Sequence, residues 1–157
     1  MPKTPNKTPY YDDVQIGQEI PGVVKPLTPP VMMRWCAAAE IYRRDHYDYK
    51  FATGHGLPDI IGSGSWTQAC LYQMLNDWVG LDGWVLKVAH RNRAMMLPRE
   101  TLTGWGKVTN KYEKHGLGYV ELEMGMTIQD GTDSVPSSGV VVLPIKGGRP
   151  VPYPFKP

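Results

Sequence analysis

The chain has 157 residues, a formal net charge of +2, and basic and acidic residues mixed along its length, which suits one domain, or one subunit of a symmetric assembly, with its own core. That balance gives no electrostatic footprint for nucleic acid, and no run approaches the ~18 apolar residues of a membrane span. The two cysteines, Cys36 and Cys70, lie in apolar or helical surroundings without a CxxC arrangement, so the pattern reads as buried thiols in a reducing compartment rather than a disulfide framework or zinc site.

Residues 1–9 alternate Lys, Thr, Pro and Asn and read as a flexible arm with no apolar signal-peptide core, so cytoplasm is the expected compartment. Tyr10 to Ile20 is a lead-in with turns at Asp12-Asp13 and Gly17. Val23 to Leu27 reads as a strand stopped by Pro26 and the Pro29-Pro30 pair, and Thr28 is placed to cap a helix whose first turn tolerates proline. That helix is expected over Val31 to Tyr42, where Met32, Trp35, Cys36, Ala39 and Tyr42 recur at helical spacing.

Arg43 to Gly64 is polar and punctuated by Gly54, Gly56, Pro58 and Gly62. It leads into the strongest helix signal, Ser65 to Val79, with Ser63 or Ser65 as its cap. Trp66, Ala69, Cys70, Gln73, Met74 and Trp78 make one side, and Leu71 and Leu75 widen it, leaving little room for a solvent face. From Trp84 the period changes to two, through Val85, Lys87, Ala89, Arg91 and Arg93. Further strands are expected over Thr101 to Tyr112, with a bulge near Gly104 and Gly106, over Tyr119 to Gln129, and over Val140 to Leu143. Residues 146–157 hold too much Pro and Gly for a regular element and are expected either to strap across a surface or a partner subunit or to stay disordered. The order of helices then strands predicts an α+β domain over residues 10–145, an antiparallel sheet with helical cover.

The densest ionisable chemistry lies just before the long helix, whose first turn offers unpaired backbone N–H groups and the positive end of its dipole. His46 is the leading candidate, because the reference pKa of a histidine, about 6.5, suits proton transfer in either direction. Asp45 either completes a site with it or pairs with Arg43 or Arg44, and Asp48 is read as holding the loop through backbone N–H groups. Glu40 is a further carboxylate, four residues before Arg44 and therefore also a helical pair for it. Tyr42 and Tyr47 either donate to a substrate oxygen or pack as amphipathic rings. Gly64 offers a backbone N–H unobstructed by a side chain, a use that competes with a simple turn, and Ser63 beside it joins the substrate-binding candidates. No histidine has metal-ligand spacing, so no metal is expected. The glycines form no phosphate-binding loop.

His46-Tyr47-Asp48-Tyr49-Lys50-Phe51-Ala52, then Gly56-Leu57-Pro58 and Ile61-Gly62-Ser63-Gly64, resembles the "H-x-D-x-x-F-A … G-x-P … x-x-x-G" passage of the MaoC-like hydratases and dehydratases. Pro98-Arg99-Glu100-Thr101-Leu102, followed by Gly106 and Val108, is similar to their "P-G-D-T-L … G-x-V" segment, and Gln129-Asp130-Gly131 with Gly139 and Leu143-Pro144 adds a third ordered match. The resemblance implies a hot-dog fold, a long helix wrapped in an antiparallel sheet, in an oligomer. It also implies an acyl thioester substrate on coenzyme A or acyl carrier protein, with coenzyme A as part of the substrate and no separate cofactor. The implied reaction is reversible hydration of a 2-enoyl thioester to a 3-hydroxyacyl thioester. His46 falls on the family's histidine and Gly64 on the glycine that polarises the thioester carbonyl, but the family's aspartate position falls on Ile41. Isoleucine neither orients water nor moves a proton, so Asp45, Glu40 or a residue of another chain stands as the candidate second acidic group. Arg44 belongs with a divergent subset in which polar residues precede the histidine, and Arg91 and Arg93 with His90 form a basic patch for coenzyme A phosphates or a solvated strand face. The expected function is a hot-dog hydratase or dehydratase, in a homo-oligomer or paired with another hot-dog subunit. The alternatives are a non-catalytic hot-dog subunit shaping a partner's substrate tunnel and an acyl-CoA thioesterase.

Overall fold

In a computed structural model, residues 7–156 are described; residues 1–6 of the expected arm and residue 157 lie outside them. Five strands form one antiparallel sheet: β1 (Val23–Pro26), β2 (Trp84–His90), β3 (Thr101–Lys114), β4 (Leu117–Thr127) and β5 (Ser137–Leu143), in the spatial order β1-β3-β4-β5-β2. The helices α1 (Pro29–Ala38), α2 (Tyr49–Gly54) and α3 (Gly64–Val79) all fall between the first two strands. The expected α+β architecture of helical cover on an antiparallel sheet is the one observed.

The alternation in the strands sorts the sheet into two faces. Leu102, Val108, Val120, Leu122, Met124, Met126, Val141 and Leu143 are at most 2% exposed and form one core with Leu71, Met74 and Leu75 of α3. The opposite face carries a smaller cluster, Leu117, Tyr119 and Val142, against which Trp84, Val151 and Phe155 pack. The Pro/Gly-rich tail is therefore laid over the sheet, with the Trp84 and Phe155 rings 6.1 Å apart and Arg149 Nε donating to His115 O at 2.9 Å.

Several boundaries differ from the sequence reading, for local reasons. The first helix starts two residues early at Pro29, its Thr28 cap accepting from Val31 N–H, and stops at Ala38 rather than Tyr42. There Glu40 takes φ +52°, and Ile41 N–H reaches back to Cys36 O at 2.9 Å, a left-handed helix stop filled by a residue other than glycine. The polar stretch holds two elements not expected there, a tight turn at Arg44–His46 and α2, whose Asp48 cap accepts from Phe51 N–H at 3.0 Å as the reading of Asp48 required. Strand β2 ends at His90, so Arg91 and Arg93 lie beyond it; their N–H groups instead bond Pro136 O and Ser134 O.

The bulge of β3 lies between Val108 and Asn110 rather than near the glycines. Gly104 and Gly106 serve close packing, since a Cβ there would come within 2.8 Å of Val23 and 2.9 Å of Ile20. Helix α3 keeps an exposed stripe, Ser65, Gln73 and Asn76, because the sheet curls around only part of it. Both cysteines are buried and unbridged, and burial pushes the Cys70 thiol up to about 11.

Leu71 is fully buried where α3 meets the sheet. Leu71→Ala is expected to lower unfolding stability by about 2–5 kcal/mol, read from urea denaturation, because the curved sheet cannot collapse onto the void.

Candidate functional site

The start of α3 is held in place by two backbone hydrogen bonds from the segment before it. Ile61 N–H donates to Asp45 O at 3.0 Å, and Gly62 N–H donates to Met96 O at 2.7 Å. Gly62 is pinched here, as a Cβ would come 3.1 Å from the Leu27 side chain and 3.2 Å from Met96 Cβ. These contacts bring the Arg44–His46 turn, the first turn of α3 and residues 92–96 around a cavity of about 310 Å³. Its polar wall is Arg43, His46, Asn92 and Arg93, with Gly64 at the helix start, and Met95 and Met96 contribute to the apolar side.

His46 is 7% exposed and its Nδ1 lies 2.9 Å from Ile61 O. A carbonyl oxygen can only accept, so Nδ1 carries the proton and a neutral His46 presents an unprotonated Nε2. Nε2 has no hydrogen-bond partner among the described residues, on a ring that lines the cavity. At the helix start Ser63 takes the N-cap position without capping: its hydroxyl pairs with Ser65 Oγ at 2.9 Å, and Ser65 Oγ also accepts from Trp35 Nε1. The Gly64 N–H, in the first helical position, has no partner among the described residues and stands at the positive end of a 16-residue helix.

Of the other sequence candidates, only Arg93 shares this cavity. Asp45 lines a neighbouring cleft of about 600 Å³ together with Tyr42, Arg44, Phe51 and His55. It forms a two-pronged ion pair with Arg43, whose Nη2 is 2.5 Å from Oδ2 and whose Nε is 3.2 Å from Oδ1. Burial pushes the Asp45 carboxyl up, but the Arg43 hydrogen bond and the charges of His46 and Arg43 outweigh it and hold the carboxyl below its ordinary 3.8. Asp45 and His46, adjacent in sequence, thus face different clefts.

Glu40 is exposed in its left-handed turn, and the helical pairing expected with Arg44 does not form, because α1 has already ended. Arg44 instead holds Asp48 at 2.7 Å and covers the Phe51 ring. Tyr47 donates to Tyr42 O at 3.1 Å, while Arg91 is exposed and lines neither cleft. Ser63 is buried beside Gly64 but does not line the cavity.

Two cavity residues, Arg43 and Asn92, were not candidates from the sequence. The Thr67 hydroxyl donates its one proton to Gly64 O at 2.8 Å, and the Asn92 side-chain amide bonds the same hydroxyl at 3.1 Å. No local pattern around Asn92 signals that bond, whose partner lies 25 residues earlier on α3. Among the described residues, no cluster of three or more His, Cys, Asp or Glu side chains is placed to hold a metal ion, and no helix is long and apolar enough to cross a membrane.

No family model matches the sequence, and no curated protein matches it significantly. Solved structures do resemble the chain. The R-hydratase PhaJ1 from Pseudomonas aeruginosa superposes with a TM-score of 0.78 at 16% identity, over 87% of this chain and 86% of that one. The (R)-hydratase of A. caviae involved in PHA biosynthesis gives 0.73 at 19%, over 84% and 98%. A chain of the ChsH1-ChsH2 complex from Mycobacterium tuberculosis gives 0.72 at 19%, over 82% and 98%. The fold is the hot-dog fold. Within it, the His46 cavity lies at the start of the long helix.

The Arg43–Asp45 pair carries its own pH signature. A carboxyl held below 3.8 in the folded chain contributes stability that is fully present above that value and is lost as pH falls through the lower folded-state value. Asp45→Asn is therefore expected to lower the urea midpoint at pH 7, and the gap to the unsubstituted protein should narrow steadily below pH ~4.

Proposed function

We propose that this chain reversibly hydrates a 2-enoyl thioester, carried on coenzyme A or an acyl carrier protein, to the 3-hydroxyacyl thioester. The observation that carries the reading is the buried His46, fixed by Ile61 O with Nε2 unpartnered, on a cavity shared with the open first turn of α3. Water held by Nε2 loses a proton to it as the oxygen bonds C3 of the enoyl group. The electron pair of the C2–C3 double bond moves toward the thioester oxygen, where the Gly64 N–H and the helix dipole stabilise the charge. The electron pair then returns to C2, which takes the proton from Nε2–H. One imidazole can thus remove and return the same proton, and the atoms balance without a second acid. The fold supports this reading through its likeness to R-hydratases, and the two free buried cysteines favour a cytoplasmic setting.

A second reading has its own observation. Among the described residues, no Asp or Glu side chain lines the His46 cavity, whose charged walls are Arg43 and Arg93. A carboxylate from another hot-dog subunit would complete an acid/base pair there, making this chain the partner that shapes the tunnel. The similarity to a chain from a two-protein complex is consistent with that arrangement.

Purified protein is expected to hydrate members of a 2-enoyl-CoA panel, and folded His46→Ala should lose about 10²–10⁴-fold in kcat. In D2O, a single imidazole delivers deuterium to the face that water attacks, so the product should show syn addition. Anti addition would require two groups on opposite faces. Inactivity of the pure protein, relieved by a second hot-dog subunit, would favour the partner reading.

A further inference from the structure

The cavity that holds His46 is walled by positive charge with nothing of opposite sign beside it. Among the described residues, Arg43 and Arg93 line it and no Asp or Glu side chain does. Arg93 is exposed in the loop after β2, where its backbone N–H bonds Ser134 O. Its guanidinium has no ion-pair partner among the described residues. Arg43 stands on the partition between the two clefts and lines both. Asp45, which lines the neighbouring cleft alone, takes Nε and Nη2, and Nη1 is left without an acceptor among the described residues. The two-pronged pair holds the planar group in one orientation, so Arg43 offers its remaining N–H groups from a fixed place.

A guanidinium fork matches a carboxylate edge to edge, and two such groups on one wall call for an anion. That anion belongs to the acyl group. The cavity is about 310 Å³, at the small end of ligand sites, and on the hydration reading it already takes the reacting carbons beside Nε2. The phosphates of coenzyme A lie at the far end of a pantetheine arm, too distant for groups that share this space with His46. Ala94, Met95 and Met96 give the same cavity an apolar stretch for the few carbons between double bond and charge.

We propose that the substrate is a short 2-enoyl thioester whose acyl group ends in a carboxylate, held by Arg93 and Arg43. The inference rests on the hydration reading for the reaction at His46, and on the two arginines for the class of acyl group. Arg93 is the principal anchor, because Asp45 already offsets the charge of Arg43. Both are substrate-binding residues that fix which acyl group is accepted and move no proton.

The test uses a five-carbon 2-enoyl thioester ending in a carboxylate and its isosteric, uncharged carboxamide. Each is made on coenzyme A and on N-acetylcysteamine, a carrier without phosphates. Hydration is followed as kcat/KM, and binding of the saturated, unreactive counterparts by titration calorimetry. The acid is expected to be preferred over the amide about tenfold in both readouts and on both carriers, a modest factor because both arginines meet solvent. Arg93→Gln should bring that preference to within about twofold of unity, and Arg93→Lys should keep part of it. Arg43→Lys, which leaves Asp45 a cation but removes the planar fork, should lower the preference by less than Arg93→Gln; circular dichroism checks its fold.

Hydration of acid and amide alike, or a preference that Arg93→Gln leaves intact, would overturn the carboxylate assignment while the hydration reading stands. The same holds if Arg93→Gln weakens both substrates equally, which would place the arginine on the thioester oxygen. It holds too if the dependence on Arg93 appears only with coenzyme A, which would place it on a phosphate. Arg93-dependent binding of the saturated acid on N-acetylcysteamine, with no hydration of any thioester, would uphold the carboxylate site and overturn the hydration reading. Failure to bind or hydrate any of these compounds would overturn both.

Discussion

Everything at the candidate site depends on where α3 begins, and that is settled by how α3 is buried. Leu71, Met74 and Leu75 are at most 1% exposed against the inner face of the sheet, so the helix cannot slide or rotate without opening the core. Its first turn is then pinned from outside by the segment that joins Asp45 O to Ile61 N–H and Met96 O to Gly62 N–H. A donor group on such a frame keeps its place while charge moves in front of it, which is what electrostatic preorganisation asks of a protein.

The site is electrostatically lopsided. Arginines 43 and 93 and His46 face the cavity, and the carboxylate nearest in sequence, Asp45, is committed to Arg43 in the next cleft. The Asp45 backbone carbonyl nonetheless helps place Ile61, whose own carbonyl orients the imidazole. Ile61 thus relays a backbone restraint from one side of the turn to the ring on the other. The arrangement sets a ring nitrogen of fixed tautomer beside an open helix start, with no carboxylate on the cavity wall among the described residues, and that asymmetry is what separates the one-base reading from one completed by a partner.

The sheet, the long helix and the association of His46 with Gly64 were legible in the sequence, because alternation, helical period and the glycine-proline punctuation are local signals. Glu40 and Asn92 mark where that legibility ended. Glu40 reads as a helical residue because the run before it is rich in alanine, yet it adopts a left-handed conformation that a glycine would have announced. Asn92 reads as one position in an alternating strand, and its meaning comes from a hydroxyl on another element. For Asp45 the sequence left two uses open, a shared site with His46 or a pair with Arg43 or Arg44, and the Arg43 pair is the one formed, with Asp45 and His46 lining different clefts.

The tail laid across Trp84, Tyr119 and Val142 bears on a problem of layering. A five-stranded sheet has two faces, and a single long helix can dry only one of them. Here the last stretch of chain acts as a makeshift second layer, built from Val151 and Phe155 instead of a helix. Shielding an apolar surface with an irregular segment makes the drying of that face depend on the last stretch of chain, across β4, β5 and the Trp84 end of β2, rather than on the core that α3 closes.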